Sequence, residues 1–165
     1  MEEDRVLLVT ASYDNTIKFW ATNVPTWDCS KTVDIPQEQV IYRMKISKDK
    51  KYLGCAGSKG IKLFELSDES NYGSKDIDYG GNCTAVGFRN MGEWFFGSGE
   101  DGTLRVHDLR LTGSQTVYTN ESPINDVIIS HSDGELIAGD ESGRIIIYDL
   151  VASKVRLVTV SNPKI

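Results

Sequence analysis

Apolar and polar residues alternate in short stretches along most of the chain, and Gly, Asn, Asp and Ser residues separate these stretches. A period of two, with enrichment in β-branched and aromatic residues, predicts β-strands. No segment carries the sustained apolar stripe of a helix, so the pattern predicts an all-β chain. The clearest predicted strands span residues 40–46, 52–56, 61–66, 76–79, 84–88, 94–97, 103–109, 115–119, 125–129, 135–138, 144–150 and 155–160.

One pattern of small residues, a tight polar turn and an alternating strand occurs four times. The copies are ASYDNTIKFW (11–20), AGSKGIKLF (56–64), GSGEDGTLRVHD (97–108) and AGDESGRIIIYD (138–149). Their ring residues Trp20, Phe64, His107 and Tyr148 lie 44, 43 and 41 residues apart. Four short strands in a repeat of about 40 to 45 residues are typical of a WD-repeat β-propeller blade. The chain holds about four such blades, whereas rings of this type usually have about seven.

The predicted partial propeller occupies residues 1–165, with blades at about 5–35, 39–80, 83–120 and 123–161. The first blade lacks its innermost strand, because residues 6–9 already take the second strand position. An open ring exposes apolar blade faces and unpaired strand edges, which favour pairing with another chain. Three explanations stay open: a truncated gene product, a half-propeller that self-associates or binds a complementing half, and an unusually small closed ring.

Three longer stretches carry a resemblance to a known family: VLLVTASYDNTIKFW (6–20), AGSKGIKLFEL (56–66) and SPINDVIISHSDGELIAGDESGRIIIYDL (122–150). With them the chain resembles the WD-repeat superfamily and, within it, the G-protein-beta-like (LST-eight) subunits of TOR kinase complexes. The resemblance covers nearly all of the chain but only about the first half of that family's ring.

The resemblance implies a non-catalytic scaffold subunit that binds and stabilises a TOR-type protein kinase. It also implies other TOR complex subunits as partners, and roles in TOR signalling, growth control and organisation of the actin cytoskeleton. The implied location is the cytoplasm, or the periphery of endomembranes through the complex. The alternative is another WD-repeat adaptor, of the coat or ubiquitin-ligase type, that presents a peptide-binding face.

WD repeats often contain a buried hydrogen-bonded set of Trp, Ser or Thr, a turn Asp and the His of a Gly-His pair. This chain has no Gly-His pair, so no repeat can hold the complete set. His107 takes the position of the Trp in the third repeat, and a partly satisfied polar set carries a cost. The residues that match parts of the motif are Ser12, Asp14, Trp20, Ser98, Asp101, His107, Asp108, Tyr148 and Asp149.

Partner-binding candidates come from the loops that enter each blade's first strand and those that join its second and third strands. In this fold these loops share one face of the blade. Trp27 is a separate candidate, because it is an aromatic residue in a predicted loop. The loop candidates are Tyr13, Asn15, Gln39, Asn82, Glu100, Asn125 and Glu141.

Composition and charge exclude several classes of function. The 165 residues include 18 Lys plus Arg and 24 Asp plus Glu, for a net charge of −6, and 39% are apolar. These values are typical of a soluble globular protein and disfavour nucleic-acid binding. No early apolar run is long enough for a signal peptide or for direct membrane insertion. Cys29, Cys55 and Cys83 are odd in number and widely spaced, which predicts buried or half-buried thiols rather than disulfides or a zinc site.

No catalytic, cofactor or metal site is predicted. Residues 97–102 match the pattern G-x-G-x-x-G, but a dinucleotide site needs a helix after those glycines and here a strand follows. The run is therefore interpreted as a strand-connecting turn in which Gly102 takes a positive φ. His107 and His131 are far apart in sequence, without an accompanying cluster of carboxylates or cysteines.

Overall fold

A computed structural model describes residues 7–22, 25–37, 39–66, 73–90, 93–110 and 116–159. Within these ranges the chain forms fifteen β-strands and no helix. No helix in the described ranges is therefore long and apolar enough to cross a bilayer. The chain divides into two compact units, Met1–Ile41 and Tyr42–Ile165.

The first unit contains a three-stranded antiparallel sheet in the order β1-β2-β3. Ile17 and Phe19 on the central strand alternate with more exposed residues and are fully buried, as a period of two requires. The strands are β1 (Leu7–Ala11), β2 (Thr16–Ala21) and β3 (Asp28–Asp34).

The second unit contains three four-stranded antiparallel sheets, each ordered as the strands occur in the sequence. The second sheet is β4 (Ile41–Ile46), β5 (Tyr52–Gly57), β6 (Gly60–Glu65) and β7 (Ser74–Asp78). The third is β8 (Cys83–Phe88), β9 (Trp94–Gly99), β10 (Thr103–Asp108) and β11 (Thr116–Thr119). The fourth is β12 (Ile124–Ile129), β13 (Glu135–Asp140), β14 (Arg144–Asp149) and β15 (Lys154–Thr159).

The all-β fold class predicted from the sequence is confirmed, and each of the twelve strands β4 to β15 begins and ends within two residues of its predicted span. The largest differences are of two residues: β7 begins at Ser74 rather than at 76, and β9 and β13 continue to Gly99 and Asp140. These two residues still pair with Cys83 and Ile124, because a β-bulge at the start of β8 and of β12 takes up one extra residue. Predicted positions 115 and 160 lie outside the described residues.

The core of the second unit lies between successive sheets. One apolar cluster joins the second and third sheets, and another joins the third and fourth. The third sheet is thus buried on both faces, and along β9 only Trp94 is partly exposed. The cluster between the third and fourth sheets contains Ala85, Phe96, Leu104, Val106, Ile124, Val127, Leu136, Ala138, Ile146 and Tyr148.

The turns between the second and third strands of a repeat have one design in three of the sheets. In the turns 12–15, 99–102 and 140–143 the carbonyl of the first residue accepts a hydrogen bond from the backbone N–H of the fourth residue. The fourth residue, Asn15, Gly102 or Gly143, has a φ of 61°, 74° or 79°. Such values favour Gly and Asn. The prediction of a positive φ at Gly102 is confirmed, and the strand β10 follows it directly.

The expectation of buried cysteines holds for two of the three. Cys55 and Cys83 are fully buried, and burial raises the pKa of each thiol to about 12. For Cys29 the expectation is wrong: it is exposed on β3. The physical reason is that β3 is the outer strand of its sheet and most of its residues are exposed to solvent.

Thiol labelling tests this arrangement. At pH 7.5 the native protein is expected to react with an aromatic disulfide reagent at one thiol, Cys29, and at all three thiols in denaturant, because only the thiolate of an accessible cysteine attacks. Labelling followed by peptide mass spectrometry identifies the site, and Cys29→Ser should abolish the native reaction. Fast native labelling of Cys55 or Cys83 would contradict the packing described here.

Candidate functional site

Three of the predicted partner-binding residues lie together in the first unit. Tyr13 and Asn15 are in the turn between β1 and β2, and Gln39 lies shortly before β4. They line a depression of about 90 Å³ with Ala11, Ser12, Val40 and Ile41. The Tyr13 side chain is 89% exposed, so its ring is available to another molecule.

The turn that presents Tyr13 is held by Asp14. The Asp14 carboxylate accepts hydrogen bonds from the Thr16 hydroxyl (2.7 Å) and from the Thr16 backbone N–H (3.0 Å). The Thr16 hydroxyl, ahead of the attraction of Lys18, lowers the pKa of Asp14. The Ser12 hydroxyl accepts from the Asp14 N–H at 3.3 Å. Tyr13 is therefore carried on an ordered turn, which reduces the entropy lost on binding.

Trp27 is exposed, at 63%, but it lies at the other end of the first sheet. It precedes β3, whose first residue Asp28 pairs with Ala21 at the end of β2. Tyr13, by contrast, lies just before the start of β2. The length of β2, about 17 Å at the rise of an antiparallel strand, separates the two ends. The structure thus does not bring Trp27 together with Tyr13 and Asn15.

The other four candidates lie along one edge of the second unit. The Asn82 side-chain amide donates to the Glu100 carboxylate at 2.8 Å, and the Glu100 N–H donates to the Asn82 carbonyl at 3.0 Å. In the fourth sheet the Glu141 N–H makes the corresponding bond to Pro123 (3.0 Å). Each turn tip is thus tied to the segment that enters its own sheet.

Asn125 belongs to the same edge, where it is the exposed extra residue of the β12 bulge. The corresponding bulge residue of β8 is Thr84, whose hydroxyl donates to the Ile124 carbonyl at 2.5 Å. This bond joins the third and fourth sheets at the edge that carries the candidates. We call the exposed carboxylates of this edge, Glu100, Glu121 and Glu141, the acidic edge.

Two arginines lie beside the acidic edge, and each is already paired. Arg105 contacts the Asp101 carboxylate at 3.2 Å and lies 4.3 Å from the centre of the Tyr79 ring. Arg144 contacts Asp140 at 2.7 Å and Glu121 at 3.3 Å. Sequence reasoning did not single out Arg144 or Glu121, since their pairing depends on how the sheets meet. The edge keeps a net negative charge, which favours a partner with a basic surface.

Asp140 is the buried carboxylate at the centre of this edge. Burial by itself would raise its pKa, but four hydrogen-bond donors outweigh that effect and hold the pKa below its ordinary value. The donors are the Arg144 backbone N–H (2.8 Å), the Asn120 amide (3.1 Å), the Ser142 hydroxyl (2.8 Å) and the Arg144 guanidinium (2.7 Å). Asp140 is therefore ionised at neutral pH and fastens Asn120 of the third repeat to the fourth.

In the first sheet, the sequence match grouped Ser12 with Trp20, but the structure pairs Trp20 with a different residue. The Trp20 indole N–H donates to the Thr10 hydroxyl at 2.9 Å, whereas Ser12 belongs to the turn. Leu8 pairs with Trp20 and Thr10 lies two residues further on the same face, while Ser12 lies beyond the end of β1. The period-two pattern of β1 is the signal that could have identified Thr10.

The motif residues of the third sheet connect strands and sheets. His107 stacks on the Phe95 ring, with ring centres 4.6 Å apart, and its Nε2 lies 3.1 Å from the Tyr79 hydroxyl oxygen. The hydroxyl oxygens of Ser98 and Thr84 lie 3.1 Å apart, and Asp101 accepts from the Thr103 hydroxyl at 2.8 Å. His107 thus packs as an aromatic side chain rather than as an exposed acid or base.

The remaining motif residues hold turns and the core. The Arg110 side chain and backbone N–H hydrogen-bond the Asp108 carboxylate and lower its pKa to about 2. Tyr148 is fully buried and contacts the Tyr118 ring, with centres 5.0 Å apart. Within the described part of the chain its hydroxyl has no hydrogen-bond partner. The Asp149 carboxylate accepts from the Val151 and Ala152 N–H groups at 3.0 and 2.7 Å.

The His, Cys, Asp and Glu side chains of the described ranges were compared with the arrangement that a metal ion requires. Among the residues that the structure describes, no three His, Cys, Asp or Glu side chains are placed to hold a metal ion. A groove of about 290 Å³ lies between the second and third sheets, and its charged lining residues include Lys75, Asp76, Asp78 and Arg105. Lys75 and Asp76 belong to the outer strand β7, and Arg105, which contacts Asp101 beside the acidic edge, also lines this groove.

Comparison with known proteins identifies a repeat family and a set of relatives. The family model of the WD domain, G-beta repeat, matches residues 3–21 and 77–108. Target of rapamycin complex subunit wat1 of Schizosaccharomyces pombe is 38% identical over 146 residues, which cover 88% of this chain and 46% of that protein. Target of rapamycin complex subunit LST8 of Mus musculus is 36% identical over 152 residues, or 89% of this chain and 45% of that protein.

A yeast relative has the same extent of similarity. Target of rapamycin complex subunit LST8 of Saccharomyces cerevisiae is 38% identical over 134 residues, or 81% of this chain and 43% of that protein. The chain thus spans about half the length of the curated relatives that it matches.

Proposed function

Because two stretches of the chain match the WD domain, G-beta repeat, and most of the chain is similar to about half of the LST8 and wat1 subunits of TOR complexes, we propose that it is a non-catalytic subunit that binds and stabilises a TOR-type protein kinase. Other TOR complex subunits are its further partners. In this role it supports TOR signalling, growth control and actin cytoskeleton organisation from the cytoplasm or from endomembranes through its complex. The observation that carries the proposal is sequence identity of 36–38% over most of the chain to proteins that are named as TOR complex subunits.

The proposed mechanism is recognition by rigid turns rather than chemistry by side chains. The turns of the first, third and fourth sheets each contain a carboxylate that accepts backbone N–H bonds: Asp14, Asp101 and Asp140. Such internal bonding fixes the turn tips before a partner arrives. The negative charge along the edge then favours a partner surface of complementary charge. Tyr13, Asn15 and Gln39 in the first unit, and the acidic edge with Asn82 and Asn125 in the second, are the candidate contacts.

A charge reversal at the acidic edge is expected to weaken kinase binding. Glu100 follows β9 and Glu93 precedes it, so these two exposed acids lie at opposite ends of one strand. Glu100→Lys should lower the recovery of the kinase with the tagged chain about tenfold, because a like charge replaces an attractive one. Glu93→Lys is the matched control: it makes the same charge reversal at the other end of the strand, where it replaces an exposed ion pair with Arg110, and exposed pairs contribute about 0–1 kcal/mol.

The measurement is quantitative mass spectrometry of proteins captured with each variant from gently lysed cells. Equal kinase recovery from both variants would show that the acidic edge is not the contact. Coat or ubiquitin-ligase subunits in place of the kinase would support the alternative class of adaptor and overturn the proposed function.

A further inference from the structure

The end of β4 and the turn that joins it to β5 carry a dense group of positive charges. Four lysines lie within residues 45–51, and all four are exposed. The only acidic residue in this segment is Asp49, whereas the chain as a whole has a net charge of −6. The segment is therefore strongly basic in an acidic chain. We call its four lysines the lysine turn: Lys45, Lys48, Lys50 and Lys51.

The lysine turn differs from the arginines of the chain in its pairing. In the ranges that the structure describes, every arginine forms an ion pair with a carboxylate, as Arg43 does with Asp126 and Arg110 with Asp108. Across those same ranges, none of the four lysines of the lysine turn forms an ion pair. Their charges are thus not used to hold the fold and can meet a partner.

The backbone of the lysine turn is held in one shape by its own hydrogen bonds. The Ser47 hydroxyl donates to the Asp49 carboxylate at 2.6 Å and accepts from the Tyr52 N–H at 2.9 Å. Asp49 also accepts from the Lys51 N–H at 3.1 Å, and the Lys50 N–H donates to the Ser47 carbonyl at 2.9 Å. The Ser47 hydroxyl, ahead of the attraction of Lys51, lowers the pKa of Asp49. A partner that binds such an ordered turn loses less entropy.

The lysine turn lies at the opposite end of its sheet from the turn that corresponds to the acidic edge. It leads into β5 at Tyr52, whereas the pairing of Gly57 with Gly60 closes the turn between the second and third strands. The turn that carries Glu100 has this second position in the third sheet. The length of β5, about 17 Å, separates the two ends. The lysine turn is therefore a second surface, and its charge is opposite to that of the acidic edge.

The surroundings of the lysine turn favour a narrow acidic segment over a flat anionic membrane. Glu65 ends β6 and Glu93 precedes β9, and both are exposed. Burial, and after it the negative charges of Glu65 and Glu93, raise the pKa of the Tyr52 hydroxyl, so these carboxylates lie near the start of β5. A flat anionic surface would meet them together with the lysines. An extended segment that crosses only the turn avoids this repulsion.

The use of lysine indicates what kind of negative group is bound. Lysine presents one compact charge, whereas the planar arginine side chain matches the paired oxygens of a phosphate. A group of lysines therefore selects density of negative charge rather than the geometry of a single phosphoryl group.

We propose that the lysine turn binds an extended segment of a partner protein that is rich in Asp and Glu. Lys48, Lys50 and Lys51 pair with carboxylates at the turn, and Lys45 extends the contact along β4. All the groups are exposed, so binding is weak and sensitive to salt. Such a contact suits a segment that is tethered by another interaction of the same partner.

The first test is a titration of the full chain with a fluorescein-labelled peptide of alternating Glu and Gly residues, followed by fluorescence anisotropy. We expect saturable binding that is absent with a peptide in which Gln replaces Glu. The affinity should fall about tenfold between about 0.05 and about 0.3 M salt, because salt screens exposed charges. Coupling with a carbodiimide, which joins carboxylates to lysine amines, should give cross-links at residues 45–51 by peptide mass spectrometry.

Charge-reversal variants test the location. The double variant Lys48→Glu/Lys51→Glu is expected to weaken peptide binding more than tenfold, because repulsion replaces attraction at two contacts. Lys75→Glu/Lys154→Glu is the matched control, since it reverses two exposed lysines on the outer strands β7 and β15 with the same change in net charge. It should weaken binding no more than about twofold, because distant charges are screened. Circular dichroism establishes that both variants are folded.

Four results would overturn the proposal: equal binding of the Glu and Gln peptides, equal loss in the two double variants, cross-links confined to other lysines, and tighter binding of phosphatidylserine vesicles than of the Glu peptide. The last result would assign the lysine turn to a membrane. These assays contain no kinase, so their failure leaves the proposed function standing. A failure of the Glu100→Lys experiment likewise leaves the lysine turn standing.

Discussion

Replacing Gly102 by Ala is expected to lower the free energy of unfolding by about 4 kcal/mol, whereas Gly143→Ala should cost about 1 kcal/mol. The two glycines occupy the same turn position one repeat apart, with φ values of 74° and 79°. A side chain is strained by this backbone conformation at both sites, at a cost of about 1–2 kcal/mol. The difference between the two sites is therefore due to their surroundings.

A Cβ atom at Gly102 would lie 2.4 Å from the Asn120 carbonyl oxygen, while nothing lies within 4 Å of one at Gly143. Asn120 cannot move away easily. Its N–H donates to the Gly102 carbonyl (2.9 Å), and its side chain donates to Ser122 and Asp140. Relief of the collision would break the bonds that join the third repeat to the fourth, so an overpacking cost of about 1–3 kcal/mol is added to the strain.

Urea unfolding followed by tryptophan fluorescence measures both variants. The transition midpoint and slope give the change in free energy. In a chain of this size a loss of 4 kcal/mol corresponds to a decrease in melting temperature of about 8–16 °C. Equal effects of Gly102→Ala and Gly143→Ala would show that the close approach to Asn120 is absent.

Phe96→Ala is expected to lower the free energy of unfolding by about 4 kcal/mol, the middle of the range for a buried ring. Phe96 lies in the cluster between the third and fourth sheets, and its ring occupies the space above Gly87. A Cβ atom at Gly87 would lie 2.3 Å from the Phe96 Cζ. Because Gly87 has no side chain that could fill the space, the cavity left by the ring would remain open. The cost therefore includes the cavity as well as the lost burial.

The matched control is Val117→Ala in the same sheet. Val117 lies on the outer strand β11 and is 51% exposed, so its truncation should change stability by no more than about 0.5 kcal/mol. Phe96→Leu, which keeps most of the volume, should fall between the two. The same urea titration checks all three variants, and a cost for Phe96→Ala as small as that for Val117→Ala would refute the packing between the sheets.

The features predicted well from the sequence are those that depend on a few neighbouring residues. The strands follow from a period of two, and the turn at Gly102 follows from a glycine next to polar residues. Features that depend on distant residues were predicted less well. Thr10, not Ser12, accepts the Trp20 hydrogen bond, because the register of β1 against β2 selects the partner. Cys29 is exposed because β3 is the outer strand of its sheet and most of its residues are exposed to solvent.

The candidate surface shows the same division. The repeat alignment placed Glu100 and Glu141 at equivalent turn tips, and the structure finds them along one edge of the second unit. Trp27 was selected only as a loop aromatic, and the pairing of Asp28 with Ala21 locates it at the opposite end of its sheet from Tyr13. The interactions of Asn120 and Glu121 with Arg144 depend on contact between successive repeats, which no local pattern encodes.

By itself, the amino-acid sequence determined the repeat, the strand positions and the residues of the turns, because the local backbone preferences and the apolar alternation are properties of short segments. Only the tertiary structure decided which apolar positions are buried. Phe96 and Ile137 hold the same place in successive repeats, yet Phe96 is buried against the fourth sheet and Ile137 is only half-buried. Burial requires a second surface, and whether such a surface is present is a property of the assembled sheets rather than of either residue.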